Sequence, residues 1–160
     1  MFENKPMQSL ILLLFLFSLV ATSVFAQDVK EDRLVTKANE SYENYSFSPA
    51  IDIYKRVLDK GFVSADLLKK LGNSYYFNAD YDAAADTYKR LVDEYASSVT
   101  PEYYFRYSQT LKTLGDYENS NAFMSKFVEA TSDDNRALAF KGEKDYLEDI
   151  KKNSGRYVEP

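Results

Sequence analysis

The stretch LLKKLGNSYYFNADYDAAADTYKRL, residues 67–91, decides the fold of this chain. Its first half sets Leu68, Leu71, Gly72 and Tyr75 at the three- and four-residue spacings of one helix face. Its second half sets Tyr81, Ala84 and Tyr88 at spacings of three and four. Glycine in mid-helix costs about 1 kcal/mol in propensity, so Gly72 implies that a neighbouring helix needs the room. Ala84 reads the same way, with Tyr88 filling the space one turn on. The aromatic–small–large triplet recurs on both sides of this stretch. Phe47, Ala50 and Tyr54 precede it by 34 residues, and Tyr117, Ser120 and Met124 follow it by 36. That is the period of a stacked helix–turn–helix array.

Outward from this stretch, alternation at period two is scarce and apolar spacings of three and four recur from Leu34 on. The pattern predicts helices near 29–44, 48–59, 64–78, 81–95, 101–114, 117–130 and 135–152. Ser48-Pro49 and Thr100-Pro101 each read as an N-cap followed by proline in the first turn. Gly61 and Gly115 stand where helices should stop. Links this short make consecutive helices pack as antiparallel hairpins. The expected fold is all-α, a helix-turn-helix solenoid of about three repeats plus a C-terminal capping helix. In that last helix Leu138, Tyr146, Leu147 and Ile150 should pack on the third repeat, with Lys141, Glu143, Lys144 and Glu148 in water.

Leu68, Leu71, Gly72, Tyr75, Tyr81, Ala84 and Tyr88 resemble the signature of the tetratricopeptide repeat (TPR). The third repeat keeps it partly, as Tyr104, Tyr107, Ser108, Leu111, Gly115, Tyr117 and Ser120. The first is weaker, as Leu34, Ala38, Phe47, Ala50 and Tyr54, with Ser41 where an aromatic is expected. A narrower resemblance lies in the runs 70–81, 101–107, 109–112 and 152–157. They look like the N-terminal TPR region of OmpA-family outer-membrane proteins of the Bacteroidetes type. In that family a β-propeller and a peptidoglycan-binding OmpA-like domain follow, and the sequence stops where the propeller would begin. Peptidoglycan binding is therefore not carried over.

The N-terminus reads as a signal peptide over residues 1–26. Lys5 precedes a run from Leu10 to Val20 that is apolar except for Ser18, and Val24-Phe25-Ala26 suits cleavage before Gln27. The run falls short of the roughly 20 residues that span a bilayer, so no transmembrane segment is expected after cleavage. The expected organisation is a signal peptide at 1–26, a TPR domain at 27–152 and a tail or linker at 153–160. Localisation follows as exported, in the periplasm or on the periplasmic face of the outer membrane. The formal net charge of −5 gives no electrostatic reason to seek nucleic acid or anionic lipid. The chain has no cysteine and no histidine, which removes disulfides, the usual general base and the commonest transition-metal ligand. Asp133 and Asp134 read as caps of the last helix, and the carboxylates at 145, 148 and 149 as a solvated face. With no phosphate loop or nucleophile motif either, no enzyme, no metal site and no cofactor is expected.

What the resemblance implies about binding lies on the first helix of each repeat, which lines the concave face of TPR arrays. There the exposed candidates are Asn39 and Tyr42, then Lys69, Asn73, Tyr76 and Phe77, then Phe105, Gln109 and Lys112. Aromatic and amide side chains in one groove suit peptide recognition. The competing reading is that Tyr76, Phe77 and Phe105 cap helix junctions. Lys69 and Asn73 resemble half of a carboxylate clamp, against which Arg106 stands where asparagine is needed and an ordinary solvated face is the simpler account. The expected function is a non-enzymatic adaptor in the bacterial cell envelope that binds a peptide or partner domain, in peripheral association with an outer-membrane complex. The alternative is an N-terminal fragment or truncated paralogue of an OmpA-type anchor with a structural role.

Overall fold

The structure, a computed structural model, describes residues 33–153. The expected signal peptide, the expected start of the first helix at 29–32 and the tail from 154 lie outside the described residues. The described chain is helical throughout: α1 over 33–43, α2 Phe47–Leu58, α3 Ala65–Phe77, α4 Tyr81–Glu94, a 3-10 turn Ala96–Ser98, α5 Pro101–Thr113, α6 Tyr117–Ala130 and α7 Asn135–Asn153. It divides into two compact units, at residues 1–63 and 64–160. The first contains the α1–α2 hairpin. The second stacks the α3–α4 and α5–α6 hairpins and adds α7.

The turn inside each hairpin is the same device used three times. Tyr45, Ala79 and Gly115 have φ of 56°, 59° and 83°, the left-handed region. Each ends a first helix. The following N–H reaches back five residues: Ser46 donates to the Ser41 carbonyl, Asp80 to Tyr75 and Asp116 to Leu111, at 2.8, 3.0 and 2.9 Å. These bonds satisfy carbonyls that a helix end would otherwise leave open. The next helix then starts at once. Asp80 and Asp116 accept from the N–H groups of Ala83 and Asn119 as N-caps. Ser46 occupies the same place without a side-chain bond. The cap expected at Ser48 therefore lies two residues earlier, and Ser48-Pro49 falls inside the first turn.

Packing between the two helices of a hairpin explains Gly72. A Cβ there would lie 2.6 Å from Cε1 and 2.8 Å from Cδ1 of Tyr88, a ring that is fully buried. The Tyr88 hydroxyl donates to Asn73 Oδ1 at 2.9 Å. Thirty-four residues earlier Tyr54 donates to Asn39 Oδ1 at 2.7 Å. The third hairpin solves the contact differently: Met124 replaces the tyrosine and Ser108 replaces the glycine. The Ser108 hydroxyl donates to the Ser120 carbonyl at 2.8 Å, so both small positions are buried without an orphaned hydroxyl.

The last helix departs from expectation. Leu138, Tyr146, Leu147 and Ile150 are between 47% and 66% exposed, so they do not form the docking face. α7 docks instead through its first turns, where Ala137 is buried and Phe140 partly so against Met124, Phe127 and Val128 of α6. Phe140 and Leu138 lie two residues apart, on opposite sides of a helix. A helix docked on Phe140 leaves Leu138 in water. Asp134 precedes the helix as anticipated and accepts from the Arg136 N–H at 2.8 Å.

Candidate functional site

The first helices of the two hairpins in the second unit, α3 and α5, carry most of the residues singled out above. α3 presents Lys69, Tyr76 and Phe77. The Lys69 ammonium lies over the ring of Tyr103 of α5, 5.4 Å from its centroid. Tyr76 packs edge-to-face on Phe77 and on Tyr81, at 5.4 and 6.0 Å between centroids. Its contact with Tyr81 spans the α3–α4 turn, as the junction-capping reading requires. Phe77 is half-exposed, and the Arg106 guanidinium sits 5.1 Å from its ring centroid. Such stacks contribute about 0.5–1 kcal/mol at exposed sites.

Arg106 begins a charged chain that leads from α5 to α7. Its Nε donates to Glu102 Oε1 at 3.0 Å. Glu102 Oε2 accepts from Arg136 Nη1 at 2.9 Å. Arg136 in turn forks onto Asp134 and lies 4.3 Å from the centroid of Phe105 and 4.9 Å from that of Phe127. The side-chain and backbone hydrogen bonds from Arg136 hold the Asp134 carboxyl below its ordinary range, and the side-chain bonds raise the Arg136 guanidinium. Phe77, Arg106, Glu102, Arg136 and Phe105 thus form one chain of ring–cation and ion-pair contacts across α3, α5 and α7. Sequence reading found the two rings and missed Arg136. The signal was there: Arg136 lies 34 residues after Glu102, one repeat on.

Gln109 and Lys112 line a cleft of about 180 Å³ between α5, α6 and α7. Its floor is Met124 and Phe140, and Leu147 and Lys144 of α7 form the far side. The cleft exists because α7 docks only by its first turns. A side chain of leucine or methionine size is of the right scale and polarity for it.

Three candidates are corrected by the geometry. Asn73 is not on the groove: it is 3% exposed and is the acceptor for Tyr88. It holds α3 to α4, which also removes the half-clamp with Lys69. Phe105 is partly buried on Phe127, ring centroids 5.2 Å apart, and offers less free surface than its place on α5 suggested. Asn39, in the first unit, is half-buried and serves Tyr54 as Asn73 serves Tyr88. Tyr42 is half-buried there, edge-to-face with Phe47 at 6.0 Å. The structure therefore brings together Lys69, Tyr76 and Phe77, and separately Gln109 and Lys112 with α7. Among the described residues no group of histidine, cysteine, aspartate or glutamate is placed to hold a metal ion. No described helix is long and apolar enough to cross a membrane.

Residues 67–98 and 101–134 each match a family model of the tetratricopeptide repeat. No curated protein matches the sequence. Solved structures share the fold. The C-terminal part of a TPR repeat-containing protein from Cytophaga hutchinsonii is similar at 17% identity and a TM-score of 0.57, over 61% of this chain and 38% of that one. PcrH in complex with the chaperone-binding region of PopB is similar at 14% identity and a TM-score of 0.55, over 71% of this chain and 90% of that one. The TPR2AB domain of yeast Sti1 in its pHSP90 complex is similar at 18% identity and a TM-score of 0.56, over 81% of this chain and 51% of that one. This chain thus spans well under half of the first of these chains and about half of the third. Helices α3–α4 and α5–α6 are tetratricopeptide repeats in sequence as well as in shape.

Proposed function

We propose that these repeats form a non-enzymatic protein-interaction module that takes a peptide or partner domain across α3, α5 and α7. The observation that carries this reading is the cleft beside Gln109 and Lys112, whose floor is apolar and whose rim is polar. An apolar anchor on the ligand would enter it, while Tyr76, Phe77 and Arg106 supply flat surface and hydrogen-bond donors along the same helices. TPR proteins as a class bind other proteins, and the similar structures of PcrH and Sti1 carry the binding region of PopB and pHSP90. The cell envelope is the proposed setting. It is supported by the signal-like N-terminus, with its apolar run from Leu10 to Val20 and Val24-Phe25-Ala26. In this reading the domain is exported and acts in the periplasm or on the periplasmic face of the outer membrane.

The test is capture of envelope proteins on the immobilised chain, compared with a Phe77→Ala/Leu147→Ala variant. Both side chains are half-exposed, so the fold should survive their loss. The reading requires that a partner held by the parent chain is lost from the variant. A partner retained at equal yield by both would place the binding surface elsewhere.

A second reading rests on the runs 70–81 and 101–107, which resemble the front of OmpA-type proteins. It makes the chain the front piece of a longer anchor with a structural role. An adjacent reading frame encoding propeller and OmpA-like domains would favour it.

A further inference from the structure

The opposite side of α5 carries a second cleft that the reading above does not use. It lies between α4, α5 and α6, holds about 410 Å³, and is lined by Asp86, Lys89, Asp93, Tyr107, Asp116 and Phe123 among others. Three carboxylates face one ammonium there, so the cleft is negative. The ammonium is already committed, since Lys89 pairs with Asp93 one turn along α4. Asp116 is committed too, capping α6 through the Asn119 N–H and side-chain amide at 3.2 and 2.7 Å. Two groups are left over. Asp86 makes no hydrogen bond or ion pair among the described residues, and its charge acts on Lys89 only through the field.

Tyr107 is the other group. It is 6% exposed, its ring packed 4.4 Å from that of Phe123 and 6.1 Å from that of Tyr88. Its hydroxyl makes no hydrogen bond among the described residues. Buried polar groups without a partner are rare in folded proteins. Burial raises the Tyr107 hydroxyl above its ordinary range, and the charges of Asp93, Asp116 and Asp86 raise it further. That electrostatic coupling places the hydroxyl within the field of all three carboxylates. The cleft therefore offers more uncommitted acceptor oxygens than donors.

We propose that this cleft holds an arginine side chain of a partner protein, its guanidinium donating to the Asp86 and Asp93 carboxylates and to the Tyr107 oxygen. Arginine suits it better than lysine, because a planar group with five N–H donors can serve several separated oxygens at once. Phe123 and Ala85 give the side-chain methylenes apolar wall. The surface is distinct from the face formed by α3, α5 and α7, so a partner could engage either alone.

The test titrates the full chain with N-acetyl-arginine amide at constant ionic strength, following the Tyr107 ring by NMR in protein carrying labelled tyrosine. The expected result is a saturable shift of the Tyr107 signal and a fall in its hydroxyl pKa, since a bound cation favours the phenolate. Asp86→Asn should weaken the affinity at least fivefold, and Phe77→Ala should leave it unchanged. Asp86 is exposed, so that variant should keep the fold. N-acetyl-norleucine amide, aliphatic and uncharged, should produce no saturable shift. Equal response to the norleucine compound, unchanged affinity in Asp86→Asn, or no fall in the Tyr107 pKa at saturation would each overturn the proposal. Tighter binding of N-acetyl-lysine amide than of the arginine compound would overturn the assignment of a guanidinium.

Discussion

Gly72→Ala should destabilise the second unit even though alanine is the best helix former. The gain in propensity is about 1 kcal/mol. Against it stands the Tyr88 ring, with Cε1 only 2.6 Å from the new methyl position. Tyr88 is fully buried and tethered through its hydroxyl to Asn73, so the ring cannot swing aside without loosening that bond. Overpacking of this kind costs roughly 1–3 kcal/mol, and a weakened hydrogen bond adds about 1 kcal/mol. The first hairpin keeps the estimate moderate, because Ala38 occupies the corresponding place with Tyr54. A net loss of about 1–2 kcal/mol follows from these terms. The third hairpin supplies the control. Met124 stands where Tyr88 does and tolerates Ser108 at the glycine position. Tyr88→Met alone should also destabilise, by about 2 kcal/mol, from lost ring contacts and the lost hydrogen bond to Asn73. In the double variant the clash is gone, so the two losses should be non-additive by at least about 1 kcal/mol. Urea unfolding of the four proteins, followed by far-UV circular dichroism, measures the cycle. A stabilised Gly72→Ala protein, or strict additivity, would refute the close-approach explanation of Gly72.

Further predictions concern the repeated turn and the acid limb. Ala79→Gly should stabilise by about 0.5–1 kcal/mol in the same unfolding assay, because the left-handed φ of 59° costs an L-residue more than glycine loses in chain entropy. Asp116→Ala should cost about 1 kcal/mol through the lost cap, while Ser46→Ala, which removes no side-chain bond, should fall within about 0.5 kcal/mol of the parent. Asp134 has its pKa lowered by Arg136 from the ordinary 3.8. A depressed carboxylate contributes stability above its unfolded value, lost as pH falls through the folded one. Docking of α7 should therefore weaken only below about pH 4, and Asp134→Asn should flatten that acid limb in the pH dependence of the midpoint.

The sequence was most informative where one residue type had one cause. Gly115 announced its left-handed turn, whereas Tyr45 and Ala79 did the same work without a glycine to mark them. Helix positions followed from the 3.6-residue period, and from α2 on they agree with the structure to about a residue. Gly72 was legible as a close approach because nothing else explains glycine in mid-helix. Asn73 was not, since a residue next to the core stripe can face either way. Its side is decided by Tyr88, whose buried hydroxyl needs an acceptor. A trace of this existed: Asn39 with Tyr54 and Asn73 with Tyr88 recur together, and the third repeat changes both, to Gln109 and Met124. The last helix misled because four large apolar residues suggested a docking face. The face is instead set by small Ala137 and by Phe140, and the unfilled remainder forms the cleft with Gln109 and Lys112.

The central claim is that a partner lies across α3, α5 and α7, and site-specific photocrosslinking in cells tests it most directly. Benzoylphenylalanine would replace Phe77, Lys112 or Leu147 in turn, with Arg90 on the exposed face of α4 as control. The account predicts that the three positions yield adducts with one common protein and that position 90 does not. Adducts confined to position 90, or the same adduct from all four positions at equal yield, would contradict it.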